Sequence, residues 1–200
     1  MSETGERSAE PSVWNLPNAL TMVRIVLVPL FAWLLWQDTP GMRVAACAVF
    51  VLAALTDRWD GQIARKRGLI TNFGKIADSI ADKALVLTAL VLLSILGELA
   101  WWITIVLIVR ELGITLLRFL IIRRYVMPAS RGGKLKAVLQ MVAISILVVD
   151  WPGLLGASVG DWGRLLGLIV MYAAVVVAVV TAGDYIAKAW RIVRSGERRS

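Results

Sequence analysis

Four aspartates with helical spacing are the residues of this sequence whose types and positions could do chemistry. Asp57 and Asp60 are three residues apart, and Asp78 and Asp82 are four residues apart. Each pair shares one helix face, because residues three or four apart are neighbours on a helix surface. If the two helices pack side by side, the four carboxylates converge, and clustered oxygen ligands suit Mg²⁺ or Mn²⁺. Metal ions bridged by shared carboxylates suit phosphoryl-group chemistry.

Small residues accompany the aspartates on the same helix faces. Gly61 and Ala64 follow Asp60, and Gly74 lies four positions before Asp78. Small side chains let a substrate or a second helix approach the backbone closely. An alternative is that the aspartates form interfacial ion pairs with basic neighbours, namely Arg58, Arg65 and Lys83. Four carboxylates in register with small residues favour the metal site.

The composition removes other sources of chemistry. Histidine, the usual general base at neutral pH, is absent, and Cys47 is the only cysteine. The chain therefore forms no intramolecular disulfide and no cysteine-rich zinc site. Any reaction must depend on carboxylates, hydroxyls, lysine, arginine and bound metal ions.

The same composition indicates a membrane protein. Of the 200 residues, 58% are hydrophobic and 18% are charged, whereas a soluble domain is usually about 45–50% apolar and about 25% charged. These values exclude a disordered chain and leave little soluble mass. The net charge of +8 indicates anionic lipid and cytosolic loops rather than nucleic acid.

Six apolar runs are candidates for membrane-spanning helices. A span needs about 20 residues, so the second and third runs reach full length only by extending into the polar stretch between them. The second helix must continue through Asp57 and Asp60, and the third must begin near Asp78 and Asp82. The runs are 19–36, 45–55, 84–96, 100–109 joined to 112–122, 137–149 and 165–182.

Basic residues cluster in alternate loops. Segments 58–83, 123–136 and 188–199 are rich in lysine and arginine, whereas the opposite loops hold only Arg43 and Arg164. The positive-inside rule then places both termini and the aspartates at the cytoplasmic face. The predicted fold is an all-α integral membrane protein with six transmembrane helices. It is predicted to be a multi-pass protein of the cytoplasmic membrane with its active site facing the cytosol.

The chain divides into one helical domain with polar ends. Residues 1–13 are predicted to form a polar tail, 14–190 the six-helix domain, and 191–200 a basic tail. Glycine and proline near the start of the last run predict an outer loop. The residues concerned are Pro152, Gly153, Gly156 and Gly160.

The stretch from 57 to 82 resembles the signature of the CDP-alcohol phosphotransferases, D-x2-D-G-x2-A-R-x8-G-x3-D-x3-D, at every defined position. The resemblance implies a six-helix membrane enzyme that displaces CMP from a CDP-linked lipid. It also implies that Asp57, Asp60, Asp78 and Asp82 hold two metal ions, and that Asp82 takes the proton of the acceptor hydroxyl. The implied CDP-diacylglycerol site comprises Asn18, Thr21, Gly61, Ala64, Arg65, Thr71 and Gly74.

Three further stretches are similar to bacterial phosphatidylglycerophosphate synthases. They cover 15–24, 109–118 and 133–141. Ala137 departs from the pattern, in which threonine usually follows the second lysine. The similarity implies glycerol 3-phosphate as the acceptor, with phosphatidylglycerol phosphate and CMP as products. It also implies a homodimer.

Basic residues in the fourth and fifth helices predict a phosphate pocket. Arg110 and Arg118 lie in the fourth run, and Lys134 and Lys136 precede the fifth. Ionisable residues within a span indicate function, and arginine binds phosphate through two hydrogen bonds while lysine adds a point charge. The alternatives are that the arginines pair with Glu111 and that the lysines are ordinary cytosolic topology charges.

Other functions stay open at this stage. A sibling enzyme would use inositol phosphate or phosphatidylglycerol as the acceptor at the same metal site. A cation transporter would use the four aspartates as a transit site, but it favours charges near mid-membrane and access from both faces. A purely structural membrane protein leaves the signature unexplained.

Overall fold

Helices make up the described part of the chain. The computed structural model describes the backbone of residues 16–67, 72–121 and 131–197, and the side chains of 19–56, 80–81, 83–117, 132–187 and 190. Within these backbone ranges no strand occurs, and the predicted all-α class is confirmed. The helices are α1 (Leu16–Trp36), α2 (Pro40–Arg67), α3 (Asn72–Ile95), α4 (Trp101–Ile121), α5 (Arg131–Val148), α6 (Trp151–Leu155) and α7 (Ala157–Glu197).

The long helices follow the apolar runs of the sequence. Each run overlaps one of α1 to α5 or α7. As predicted, α2 continues through positions 57 and 60, and α3 already includes positions 78 and 82. Helix α7 is 41 residues long, so the predicted boundary between residues 190 and 191 lies within it.

The prediction of an outer loop at the glycines is wrong in part. Gly153 lies in α6 and Gly160 lies in α7. The Asp150 side chain accepts a hydrogen bond from the Gly153 N–H at 3.1 Å, and this cap starts the short helix. Gly156, with a φ of 79°, ends α6 in a conformation that suits glycine. Gly160 has no side chain and therefore allows α7 to pass against the backbone of Pro152.

The core of the bundle receives side chains from every long helix. The rings of Phe31 and Phe50 join α1 to α2 at a centroid distance of 5.6 Å. Fully buried alanines, such as Ala89 and Ala143, let neighbouring helix backbones approach closely. The largest fully buried apolar side chains are Phe31, Leu35, Phe50, Leu85, Leu90, Leu93, Ile103, Leu107, Ile144, Leu147 and Met171.

The outer surface of the bundle is apolar. Large hydrophobic side chains are exposed along α1, α4 and α7, for example Val26, Val109 and Val176. Soluble monomers rarely expose apolar patches of such extent. Among the described residues, Ala19–Trp36 and Ala157–Ala187 are long and apolar enough to cross a membrane. This surface suits contact with lipid.

Arg43 connects several helices at one end of the bundle. Its residue surface is only 4% exposed. Its Nε donates to the Val148 carbonyl at 2.8 Å and its Nη2 to the Leu147 carbonyl at 3.0 Å, which satisfies carbonyls at the end of α5. Its Nη1 forms ion pairs with Asp38 at 3.2 Å and with Glu98 at 2.9 Å.

A second arginine completes this network, and we call this part of the molecule the Arg43 end. Arg164 on α7 forms an ion pair with Glu98 at 2.9 Å and donates to the Gly97 carbonyl at 3.0 Å. The network therefore ties the α1–α2 and α3–α4 turns to α2, α5 and α7. The opposite end, where α4 meets the start of α5, is called the Arg110 end below.

We expect Arg43→Met to destabilise the protein strongly. The substitution leaves two α5 carbonyls and one Glu98 oxygen without their donor, and breaking a buried ion pair from one side costs about 3–5 kcal/mol. The measurement is the midpoint of thermal unfolding in detergent. Arg164→Met is the control, because the Arg164 side chain is half exposed and its ion pair contributes about 1 kcal/mol or less. Equal midpoints for the two variants would contradict the assignment of Arg43 as the centre of the network.

Candidate functional site

The aspartate-bearing segments belong to two helices that contact each other. The backbone is helical at positions 57 and 60 of α2 and at positions 78 and 82 of α3, and α2 packs against α3. The spacings that place each pair on one helix face are therefore retained. The side chains of all four aspartates lie outside the described set. Among the side chains that are described, no three acidic or cysteine residues form a metal-binding group.

The predicted CDP-diacylglycerol residues are described only in part. Thr21 is buried on α1, and Arg24 is buried one turn further along the same helix. The first half of α1 therefore directs polar side chains into the bundle. Position 71 lies outside the described residues, whereas the backbone is helical at the other predicted positions, whose side chains are not described. These positions are Asn18, Gly61, Ala64, Arg65 and Gly74.

A cavity of about 270 Å³ lies at the Arg110 end, between α3, α4 and α5. Three of the four residues predicted to bind the acceptor phosphate line it together: Arg110, Lys134 and Lys136. The fourth, Arg118, is helical in its backbone, and its side chain lies outside the described set. The polar part of the lining consists of Lys83, Arg110, Glu111, Thr115, Lys134, Lys136 and Gln140.

Glu111 is the centre of charge pairing in this cavity. Its Oε2 accepts from Lys136 Nζ at 2.7 Å and from Arg110 Nη1 at 3.3 Å. Lys136 is 4% exposed, so its ammonium requires such a partner. The sequence left open whether the arginines pair with Glu111; Arg110 does, and Lys136 joins it from α5. One carboxylate thus holds two cations that come from different helices.

Thr181 on α7 is a contact of the site that sequence reasoning missed. Its Oγ1 accepts a hydrogen bond from Arg110 Nη2 at 3.2 Å and donates to the Val177 carbonyl at 2.7 Å. The Thr181 methyl also occupies the space that a side chain at Gly132 would need. The available signal was a hydroxyl inside the apolar run 165–182, but the spacing of residues gives no information about which helix it faces.

Lys83 and Gln140 also line the cavity without having been predicted to do so. Lys83 directly follows position 82, so the cavity borders the α3 segment that carries two of the aspartates. Among the described side chains, the lining combines four cations with one carboxylate, which gives it a net positive charge. Guanidinium and ammonium groups in such a cavity suit a small phosphorylated molecule.

Comparisons with known proteins identify the family. The sequence model of the CDP-alcohol phosphatidyltransferases matches residues 14–180. A probable phosphatidylglycerophosphate synthase of Mycobacterium tuberculosis (strain ATCC 25618 / H37Rv) is 44% identical over 192 residues, which cover 94% of this chain and 88% of that protein.

More distant relatives carry a related name. A CDP-diacylglycerol--glycerol-3-phosphate 3-phosphatidyltransferase of Rickettsia bellii (strain RML369-C) is 36% identical over 86% of this chain and 93% of its own length. Its namesake in Bacillus subtilis (strain 168) is 33% identical over 92% of this chain and 99% of its own length. The resemblance deduced from the aspartate signature is confirmed. The chain belongs to the CDP-alcohol phosphatidyltransferase family.

Proposed function

We propose that this protein transfers a phosphatidyl group from CDP-diacylglycerol to glycerol 3-phosphate, giving phosphatidylglycerol phosphate and CMP. The observation that carries the proposal is the cationic cavity beside the aspartate segment of α3. Names of the relatives point to the same reaction. In this reaction the acceptor hydroxyl oxygen bonds to the lipid-side phosphorus while the bond from that phosphorus to CMP breaks.

The acceptor phosphate is assigned to the cavity at the Arg110 end. Arg110, Lys134 and Lys136 line that cavity, and Arg118 follows Arg110 by two helical turns. Arginine offers paired N–H donors to phosphate oxygens, and lysine adds a compact charge. Glu111 keeps the Arg110 and Lys136 groups together before the acceptor arrives.

The donor and its diphosphate are assigned to the aspartate segments of α2 and α3. Two Mg²⁺ or Mn²⁺ ions would be held by Asp57, Asp60, Asp78 and Asp82, and they would neutralise the diphosphate and the CMP leaving group. The donor set fits such ions because every ligand is a carboxylate. Asp82 takes the proton of the acceptor hydroxyl, since the sequence has no histidine to do so. The residues assigned to CDP-diacylglycerol are Asn18, Thr21, Gly61, Ala64, Arg65, Thr71 and Gly74.

We also propose that the six long helices cross the cytoplasmic membrane, with both termini and the Arg110 end facing the cytosol. The apolar exterior of α1, α4 and α7 supports contact with lipid. The concentration of basic residues at the Arg110 end supports the orientation. In this arrangement the acyl chains of the donor stay in the bilayer, and glycerol 3-phosphate enters from water. The homodimer expected from the family is part of the same proposal.

The proposed reaction is tested by CMP release from the purified protein. We expect release with CDP-diacylglycerol, Mg²⁺ or Mn²⁺ and glycerol 3-phosphate, and loss of release when a chelator is added. Inositol phosphate and phosphatidylglycerol are the comparison acceptors. Faster release with either of them would assign the chain to a sibling reaction, and no release with any acceptor would favour a protein without this enzymatic activity.

We expect Asp82→Asn to lower kcat by about 10²–10⁴-fold, which is the usual contribution of general acid–base catalysis. Manganese binding is measured in the same variant, because Asp82 is also assigned as a metal ligand. Asp184→Asn is the control, since Asp184 is an exposed carboxylate on α7. Full activity of Asp82→Asn with intact metal binding would rule out Asp82 as the base.

Thr181→Val should raise the KM for glycerol 3-phosphate by roughly 3–30-fold, because Arg110 loses the acceptor of one of its N–H groups. The kcat at saturating acceptor should change little, since Thr181 acts through Arg110 and touches no reacting atom. Thr181→Ser retains the hydroxyl oxygen and should restore most of the affinity. If serine and valine raise the KM equally, Thr181 contributes through packing alone.

A further inference from the structure

Gln140 is a buried amide in the wall of the cavity at the Arg110 end. It is 3% exposed, and its side chain makes no hydrogen bond with any residue that the structure describes. Its amide atoms are not among the buried polar atoms that lack a partner, so they are open to the cavity. The amide can therefore form hydrogen bonds with a molecule that enters the cavity.

A second polar group of the same cavity is also without a partner. The Nε–H of Arg110 is buried and donates to no oxygen of the described residues, although the two terminal nitrogens of the same guanidinium donate to Glu111 and Thr181. The Arg110 N–H can only donate, which suits an anion. The Gln140 amide both donates and accepts, which suits a hydroxyl. The two groups together fit a molecule that carries a phosphate and a hydroxyl.

The positions of the cationic groups and of Gln140 along α5 set the orientation in which such a molecule would bind. Gln140 lies four residues after Lys136, so the two side chains share a helix face one turn apart. The cationic groups are concentrated towards the start of α5, and Gln140 lies further into the bundle. The same lining includes Val86, Ile114 and Met141, whose side chains offer no strong hydrogen-bonding group. A hydrogen bond made there is strengthened by the low local dielectric.

We propose that Gln140 is a specificity-determining residue of the acceptor site and hydrogen-bonds a hydroxyl of a short phosphorylated polyol. The proposal rests on the function proposed above and deepens it. The phosphate is held by the cations near the start of α5, and the amide of Gln140 recognises the hydroxyl that does not react. In glycerol 3-phosphate this is the hydroxyl of the middle carbon. A site built to bond a hydroxyl rejects an analogue that lacks it, because the buried amide is then left unpaired.

The test compares two acceptors that differ by that hydroxyl. Propane-1,3-diol monophosphate keeps the phosphate and the attacking primary hydroxyl of glycerol 3-phosphate but lacks the middle one. We expect the unmodified protein to prefer glycerol 3-phosphate in kcat/KM by roughly tenfold or more, as one buried hydrogen bond is worth about 1–2 kcal/mol. Gln140→Leu should lose this preference, through a lower kcat/KM for glycerol 3-phosphate and an unchanged value for the analogue.

Other variants separate the proposal from a loss of structure or of phosphate binding. Arg110→Gln should lower kcat/KM for both acceptors by similar factors, because both carry the phosphate. Ser145→Ala, on α5 but outside the cavity lining, should leave the preference unchanged. Gln140→Met is a second variant of nearly the same length as glutamine, in case leucine disturbs packing, and thermal unfolding reports whether each variant is folded.

The outcomes distinguish the two proposals. A preference that persists in both Gln140→Leu and Gln140→Met would overturn the assignment of Gln140, and so would an equal loss of activity towards both acceptors. The reaction assigned above would stand in either case. Absence of CMP release with the unmodified protein and either acceptor would instead overturn the proposed function itself.

Discussion

The compensation of buried charge is the constraint on which this bundle depends. An ammonium or guanidinium that leaves water needs a close counter-charge, or its burial becomes very costly. Lys136 meets this requirement through Glu111 at 2.7 Å, and Arg110 shares the same oxygen at 3.3 Å. Because the carboxylate belongs to α4 and the ammonium to α5, this pairing also fixes how those helices lie against each other. The cavity therefore lies beside two helices, α4 and α5, that this ion pair holds together.

Buried charges are compensated at both ends of the bundle, but the ratio of cations to carboxylates differs between them. At the Arg43 end, two arginines face two carboxylates, and spare N–H groups bond carbonyls at the end of α5 and in the α3–α4 turn. The charges at that end are paired with one another, and the network contributes rigidity. In the cavity at the Arg110 end, the described side chains comprise four cations and one carboxylate. We propose that an anionic ligand balances this excess of positive charge, so that the same physical chemistry supports stability at one end and binding at the other.

Most of the helices were predictable from the sequence because each apolar run is long and its neighbours are polar. The extension of α2 and α3 through the aspartates was predictable from length alone, since each run is too short to span a bilayer. The cavity was predictable in part: Arg110, Lys134 and Lys136 are unusual in or beside an apolar run. Thr181, Lys83 and Gln140 were not, because their importance depends on which helices become neighbours. The α6 helix was missed because its cap by Asp150 is a contact of a few residues that composition does not reveal.

The length of α7 has a mechanical consequence. Its 41 residues extend over about 60 Å at 1.5 Å per residue, whereas the hydrocarbon layer of a bilayer is about 30 Å thick. If α7 crosses the membrane as proposed, roughly half of this continuous helix projects beyond the lipid. Thr181 lies 16 residues before its end at Glu197, so about 24 Å of helix extends past the Arg110 contact. Because Thr181 accepts a hydrogen bond from Arg110, the position of this part of α7 bears directly on a guanidinium that lines the cavity.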